Sequence, residues 1–268
     1  MNYTFRSKKL FDPKSKGQHR LSRSKIELFL ECPRCFYIDQ KFGVKRPDFP
    51  AFTLNSAVDT LLKKEFDIHR VKKDAHPLMK EYGVDAVPFS HEDLEKWRHT
   101  FTGIQFFHRQ TNFLVFGAID DLWINSKDEL HIVDYKATSK TNKPDLEGEY
   151  QQSYKRQMEI YQWLFRQNGF KVSNFGYFVY VNGKRDKKAF DARLEFDVFL
   201  IPYEGNDKWI EDAIINARKC LVGELPTPND SCAYCNYRKD AANTTAAAMK
   251  IQKKSTIKKN KIDNATLF

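Results

Sequence analysis

The sequence predicts an α/β domain: a mixed sheet flanked by helices, with a cysteine-bound metal tying its N- and C-terminal parts together. Three observations lead there. Residues 113–124 (FLVFGAIDDLWI) and 130–137 (LHIVDYKA) are rich in branched and aromatic side chains, stand either side of the polar turn Asn125-Ser126-Lys127-Asp128-Glu129, and read as a β-hairpin. Residues 150–168 have strong helical character and stop at Gly169, a residue suited to the end of a helix. Two Cys-x-x-Cys pairs, Cys32 with Cys35 and Cys232 with Cys235, lie near opposite ends of the chain and read as one metal site before disulfides.

Taken in chain order, residues 1–21 lack apolar periodicity and read as a flexible basic arm. A helix opens at Ser22 or Ser24, where Ser24 and Glu27 fit a capping box and Ile26, Phe29 and Leu30 supply an apolar face. A loop surrounds Pro47 and Pro50. A second helix covers 55–71, with Val58, Leu61, Leu62 and Phe66 on one side, and a short helix is expected at 91–97. After the hairpin and the 150–168 helix come strands at 175–182 and 192–201 and a helix at 207–222. Residues 241–268, rich in Ala, Thr and Lys and without periodicity, are expected to be disordered, leaving 22–240 as the folded domain.

The chain has 268 residues, 41% of them hydrophobic and 14% aromatic, enough for a packed core. It has no apolar run long enough to span a membrane and no secretory apolar segment at the start, so a cytoplasmic location is expected. The net charge of +10 is concentrated at the ends. Residues 1–25 carry eight basic and one acidic residue, residues 241–268 six and one, and the middle is close to neutral. Basic ends suit a phosphate backbone.

The chemistry centres on the hairpin. Asp120 ends the run Gly117-Ala118-Ile119-Asp120, and Asp134 opens Asp134-Tyr135-Lys136. Both acids interrupt apolar runs, and a buried carboxylate needs a counter-charge. Oxygen ligands suit Mg²⁺ or Mn²⁺. Asp134 and Lys136, two apart on a strand, share a face, where a lysine can orient or deprotonate an attacking water or stabilise a pentavalent phosphate. Asp121 points to the opposite face and is given no ligand role. On the following helix Gln157 and Tyr161 are four apart and share a face.

The order G-x-x-D, D-x-K, Q-x-x-x-Y resembles the PD-(D/E)XK nucleases of the RecB, AddB and CRISPR-associated RecB-like exonuclease group, over roughly residues 22–240. The resemblance implies a restriction-endonuclease-like fold and metal-dependent hydrolysis of DNA. It implies Asp120 and Asp134 as metal ligands, Lys136 as the catalytic lysine, and Gln157 and Tyr161 as residues that support the site and contact DNA. In this group the helix before the hairpin usually carries a further ligand, often histidine. The matching stretch here, Leu54-Asn55-Ser56-Ala57-Val58-Asp59, offers Asp59, with Glu65 as a rival. Several members also join a cysteine after the first helix to a C-terminal cysteine cluster through a [4Fe–4S] cluster. Cys32, Cys232 and Cys235 resemble that pattern, but Ala241 stands where the last cysteine is usual, and Cys35 is the available replacement. Four thiolates equally suit structural Zn²⁺. Cys220 reads as an ordinary core thiol.

These features point to a nuclease acting on single-stranded or free DNA ends in repair, recombination or replication. A non-catalytic DNA-binding module and an RNA-directed nuclease of the same fold are the alternatives. The terminal Leu267 and Phe268 resemble peptides that bind sliding clamps, with Asn264 in place of the usual glutamine, and make such a clamp an expected partner.

Overall fold

The computed structural model describes residues 10–48, 50 and 52–265. The chain begins with strand β1 (His19–Ser22), helices α1 (Arg23–Glu31), α2 (Pro33–Phe42), α3 (Thr53–Lys72) and α4 (Pro77–Glu81), and strand β2 (Val87–Pro88). Helix α5 (Leu94–Arg98) leads to strands β3 (Ile104–His108), β4 (Phe113–Gly117), β5 (Asp121–Ile124) and β6 (Leu130–Thr138). Helix α6 (Glu149–Gln167), strands β7 (Phe175–Gly183) and β8 (Phe196–Glu204), and helices α7 (Ile210–Val222) and α8 (Ala233–Ala265) complete it.

The strands form two sheets, a three-stranded one in the order β1-β4-β3 and a five-stranded one in the order β2-β5-β6-β7-β8. Strand β6 lies at the centre of the larger sheet, antiparallel to β5 and parallel to β7, with α6 as the crossover between β6 and β7. Period-2 alternation sends its side chains to different layers. Val133 and Tyr135 face α3, packing with Leu62 and Phe66 and with Trp123, Val179 and Val181 of the neighbouring strands. Phe66 is fully buried, stacked on Trp123 and Tyr135. Ile132 belongs to the second core, with Met158, Ile160 and Leu164 of α6 and Phe178 and Tyr180 of β7. Asp134 and Lys136 continue that face, so the alternation that buries Ile132 also delivers the two charged groups beneath α6.

Four sequence expectations are corrected by the fold. The run 113–124 is not one strand. It divides at Ala118-Ile119-Asp120 into β4 and β5, which belong to different sheets, so only β5 pairs with β6 as the hairpin. The break is fixed by long-range contacts: the Ile119 N–H donates to the Trp97 carbonyl at 3.1 Å, and Gly117 passes so close to Tyr161 that a Cβ there would meet Cε1 at 2.5 Å. Residues 19–22, assigned above to the basic arm, pair in parallel with β4, and Phe11 is buried against Phe113. The capping box is not formed: Ser24 Oγ bonds Ser22 Oγ at 2.9 Å, while Glu27 is buried and ion-paired with Arg156 of α6 at 2.5 Å. Residues 241–265, expected to be disordered, continue α8. Ala, Lys, Gln and Met are strong helix formers, so the segment coils without an apolar face to direct it. No helix among the described residues is long and apolar enough to cross a membrane.

Candidate active site and cysteine metal centre

The kink that separates β4 from β5 places Asp120 at the start of β5, and the backbone N–H of Tyr135 donates to its Oδ2 at 2.9 Å. This contact sets Asp120 alongside Asp134 on the central strand. Asp134 is 1% exposed; Gln157 Nε2 donates to its Oδ1 at 2.8 Å, and Lys136 Nζ makes an ionic contact with its Oδ2. Apart from that ionic contact, Oδ2 is buried without a hydrogen-bond donor. Gln157 Nε2 also lies 3.4 Å from the Tyr161 hydroxyl, so the i,i+4 pair meets the site as one unit. Asp59 approaches from α3, where Lys63 Nζ contacts Asp59 Oδ2 at 2.8 Å and Asp120 Oδ1 at 3.5 Å.

The electrostatics are those of crowded carboxylates. Burial, reinforced by the charge of Asp120, pushes the Asp134 carboxyl up to about 6 even with Lys136 beside it. Asp59 is raised for the same two reasons, against the pull of Lys63. Burial opposes the charge on Lys136, but Asp134 and Asp120 outweigh it and hold its pKa above the ordinary lysine value. Lys136 is therefore a cation at neutral pH. A cleft of about 340 Å³ opens beside Asp120, lined by Arg23, Lys63, Arg98, Gln157 and Tyr161. A smaller one of about 120 Å³ joins Asp59 to Lys136 and Tyr154, whose ring lies 4.6 Å from Lys136 Nζ.

Of the predicted residues, Asp59, Asp120, Asp134, Lys136, Gln157 and Tyr161 converge. Glu65 does not: it ion-pairs with His76 at 2.8 Å and its side chain is largely exposed. Six residues along a helix turn it about 240° from Asp59, away from the cleft. Asp121 also stays out, fully buried and matched by Arg70 at 2.5 Å, Arg98 at 3.0 Å and the Tyr135 hydroxyl at 2.8 Å. Arg98 Nε donates to the Asp120 carbonyl at 3.1 Å, so this buried network also fixes the backbone of the adjacent Asp120. Sequence reasoning missed Arg23, Lys63, Arg98 and Tyr154. Only Lys63 carried a local signal, its i,i+4 spacing from Asp59. Leu267 and Phe268 lie outside the described residues.

The four predicted cysteines also converge. Cys32 follows α1, Cys35 lies in α2, and Cys232 and Cys235 flank the start of α8. Their sulfurs all lie within 4.8 Å of one another, with Cys32–Cys235 at 3.8 Å and Cys35 at 3.7 Å from both Cys232 and Cys235. All four are buried. Burial pushes Cys235 up to about 12, whereas backbone hydrogen bonds overcome burial at Cys32 and bring it down to about 7. One thiolate thus forms easily at the expense of its neighbours, and ionising all four together requires a cation among them. Arg46 caps the cluster, its guanidinium 3.5 Å from Cys232 Sγ and 4.6 Å from the Tyr234 ring centre. Cys220 stands apart, its thiol 3.8 Å from the Pro33 carbonyl.

No curated protein matches the sequence. The model of the PD-(D/E)XK nuclease superfamily matches residues 20–239, a span that holds both sheets, the convergent carboxylates and all four clustered cysteines. The chain belongs to the PD-(D/E)XK nuclease superfamily, whose members are generally nucleases that use divalent metals.

Proposed function

We propose that this protein is a divalent-cation-dependent DNA nuclease whose reaction centre lies between Asp120, Asp134 and Lys136. The observation that carries the reading is Asp134: a carboxylate buried in the central strand beside a second carboxylate, its Oδ1 held by Gln157 and its Oδ2 met only by the Lys136 ammonium among the described residues. A fold gains nothing from that arrangement unless a further cation joins it. The donor set of Asp59, Asp120 and Asp134 is all carboxylate oxygen, which fits Mg²⁺ or Mn²⁺. When bound, such an ion polarises the phosphate and lowers the pKa of the attacking water. Lys136, held as an ammonium, stabilises the negative charge that develops on the phosphorane and keeps Asp134 ionised. Gln157 fixes the rotamer of Asp134 through its amide N–H, and Tyr161 braces Gln157. Arg23 presents positive charge along the cleft where the phosphodiester would enter, and Lys63 and Arg98, paired with acids, form part of its wall. The basic termini and the small clefts favour a flexible single strand or a free end over an intact duplex.

For the cysteines we infer one tetrahedral ion, zinc, over the [4Fe–4S] cluster that the family resemblance suggests. A tetrahedral ion with bonds of about 2.3 Å sets its sulfurs about 3.8 Å apart; three of the six pairs stand at 3.7–3.8 Å and all four sulfurs lie within 4.8 Å of one another. A cubane places each thiolate on a different iron and spreads them by the size of the cluster itself. The centre staples α1 and α2 to α8 and takes no part in hydrolysis.

Cleavage of labelled single-stranded DNA, duplex DNA and RNA, with Mg²⁺ or Mn²⁺ and with EDTA, tests the first reading. Cleavage of DNA that requires the metal and disappears in Lys136→Ala is the expected result. No cleavage by the parent protein under any of these conditions would leave a non-catalytic binding module, and cleavage of RNA alone would leave an RNA-directed enzyme. Elemental analysis and an absorption spectrum of anaerobically purified protein test the second: one zinc and no iron–sulfur absorption are expected.

A further inference from the structure

The β7–β8 hairpin extends beyond the reaction centre, and its tip is built unlike a simple connection. Tyr180 on β7 is the register partner of Lys136, and Lys184 follows four residues later, about 13 Å along the strand. From there residues 184–195 carry five Lys or Arg against three acids, a local charge of +2. Lys184 and Lys187 are neutralised by Asp197 and Glu195 at 2.8 and 2.6 Å. Arg185 donates to the Thr141 hydroxyl at 2.9 Å, and among the described residues no acid pairs with it, Lys188 or Arg193. Phe190 is 73% exposed and helps line a cleft of about 540 Å³ together with these cations. Asp191 and Ala192 both take positive φ, 42° and 54°, while the Arg193 N–H closes on the Phe190 carbonyl at 2.8 Å. Two consecutive left-handed residues without glycine are costly, so the fold holds an unfavourable turn where it displays an aromatic ring to solvent.

The tip is also tied to the catalytic strand. The segment leaving β6 is fastened to the end of β7 by Ser139 Oγ to the Gly183 carbonyl at 2.9 Å, and by Lys140 N–H to Asn182 Oδ1 at 2.7 Å. Asn182 Nδ2 returns a bond to the Lys140 carbonyl at 3.0 Å. Phe199 of β8 is the register partner of Tyr180, level with Lys136, and Lys143 lies over its ring at 5.4 Å. The base of the hairpin tip is thus braced against the segment that leaves the strand of Lys136.

We propose that this hairpin tip is a second strand-binding subsite, where a base of single-stranded DNA stacks on Phe190 while Arg185, Lys188 and Arg193 face its phosphates. The proposal rests on the nuclease reading and adds to it a hold on the strand away from the scissile bond. An exposed aromatic among unpaired cations is what an unpaired base with its phosphate recognises, by stacking and by charge.

The test is fluorescence anisotropy in EDTA, with metal-free protein and labelled single strands of about 16 and about 3 nucleotides. Phe190→Ala should weaken binding of the long strand about tenfold. The double variant Lys188→Glu, Arg193→Glu should lower the slope of log affinity against log salt by about 1.4, the loss of two single-strand phosphate contacts. The short strand, with fewer bases and phosphates to share between the reaction centre and the tip, should lose less affinity than the long one. Unchanged affinity and salt slope for the long strand in both variants would overturn the proposal. The nuclease reading fails separately. A parent that binds through Phe190 yet leaves every strand intact with Mg²⁺ or Mn²⁺ retires that reading and keeps the subsite; a parent that cleaves, with Phe190→Ala indistinguishable in binding, does the reverse.

Discussion

Replacing Cys232 with serine should unstitch the two ends of the domain, and the size of the effect follows from the chain length between the staple's arms. Cys35 and Cys232 are 197 residues apart in sequence and 3.7 Å apart in space. Closing a loop of that length in the unfolded chain removes entropy equivalent to about 5 kcal/mol at 25 °C, on the same relation that describes disulfides. For a chain of 268 residues the unfolding entropy near 60 °C is about 0.6 kcal/mol per degree, so losing the cross-link should lower Tm by roughly 10 °C. Serine keeps the volume and a polar group but supplies a poor ligand for a thiolate site, so the bound metal should leave with the stability. Scanning calorimetry with metal analysis of the same samples measures both quantities, and Cys220→Ser, whose thiol lies outside the cluster, is the control that should keep both. A Cys232→Ser protein that retains its metal, or melts within about 2 °C of the parent, refutes the staple.

Three other outcomes are expected. Asp120→Ala and Lys136→Ala should each lower metal-dependent cleavage about a thousandfold with far-ultraviolet dichroism unchanged, and Gln157→Ala about tenfold, because it removes only the bond that orients Asp134. Because burial and Asp120 raise Asp134 to about 6, its carboxyl holds a proton below that pH, and a cation must displace it. Mn²⁺ affinity followed by calorimetry should therefore be level above pH 6 and decline below it, and a flat profile from pH 7 down to about 4.5 would contradict the assignment. His131 is buried, its pKa lowered chiefly by desolvation although its Nδ1–H donates to the Phe175 carbonyl at 2.7 Å. The unfolded state then takes up the proton more readily, so its contribution to stability is complete above about 6.5 and is lost as pH falls from there through the folded value. Urea midpoints at the two ends of that range should differ less in His131→Gln than in the parent.

Residues whose environment is set within one element were the legible ones. Asp134 and Lys136 had to share a face because a strand alternates, and Gln157 and Tyr161 because a helix turns by 3.6. What escaped was decided by partners distant in sequence. The composition of 113–124 is uniformly strand-like, and nothing in it reveals that Trp97 claims the Ile119 N–H or that Tyr161 occupies the space a side chain at 117 would need. Ser24, three residues before Glu27, suggests a local cap, whereas Arg156 on α6 is the partner Glu27 meets. Asp59 and Glu65 are alike in one dimension; His76, eleven residues beyond Glu65, separates them. Arg98 carried no signal, since its role arises from folding α5 against the start of β5.

The neighbouring acids Asp120 and Asp121 show why the proposed site takes a cation while the core beneath it does not. Asp121 has no solvent exposure, and the fold answers it fully, with two guanidiniums, the Tyr135 hydroxyl and the Leu122 N–H at 2.8 Å. That is how this chain treats a carboxylate it buries for structure. On the other face, among the described residues, the three carboxylates of Asp120, Asp134 and Asp59 are in ionic contact with two ammonium groups, Lys63 and Lys136, with Arg23 contributing more distant positive charge. In the proposed site a divalent cation would add positive charge beside the three acids, and a phosphodiester would offset it, so metal and substrate would favour each other's binding. Lys63 bridges Asp59 and Asp120, so in the proposed site these two carboxylates would hold the ion only if Lys63 turned from them, and its ammonium would then be free to meet a phosphate.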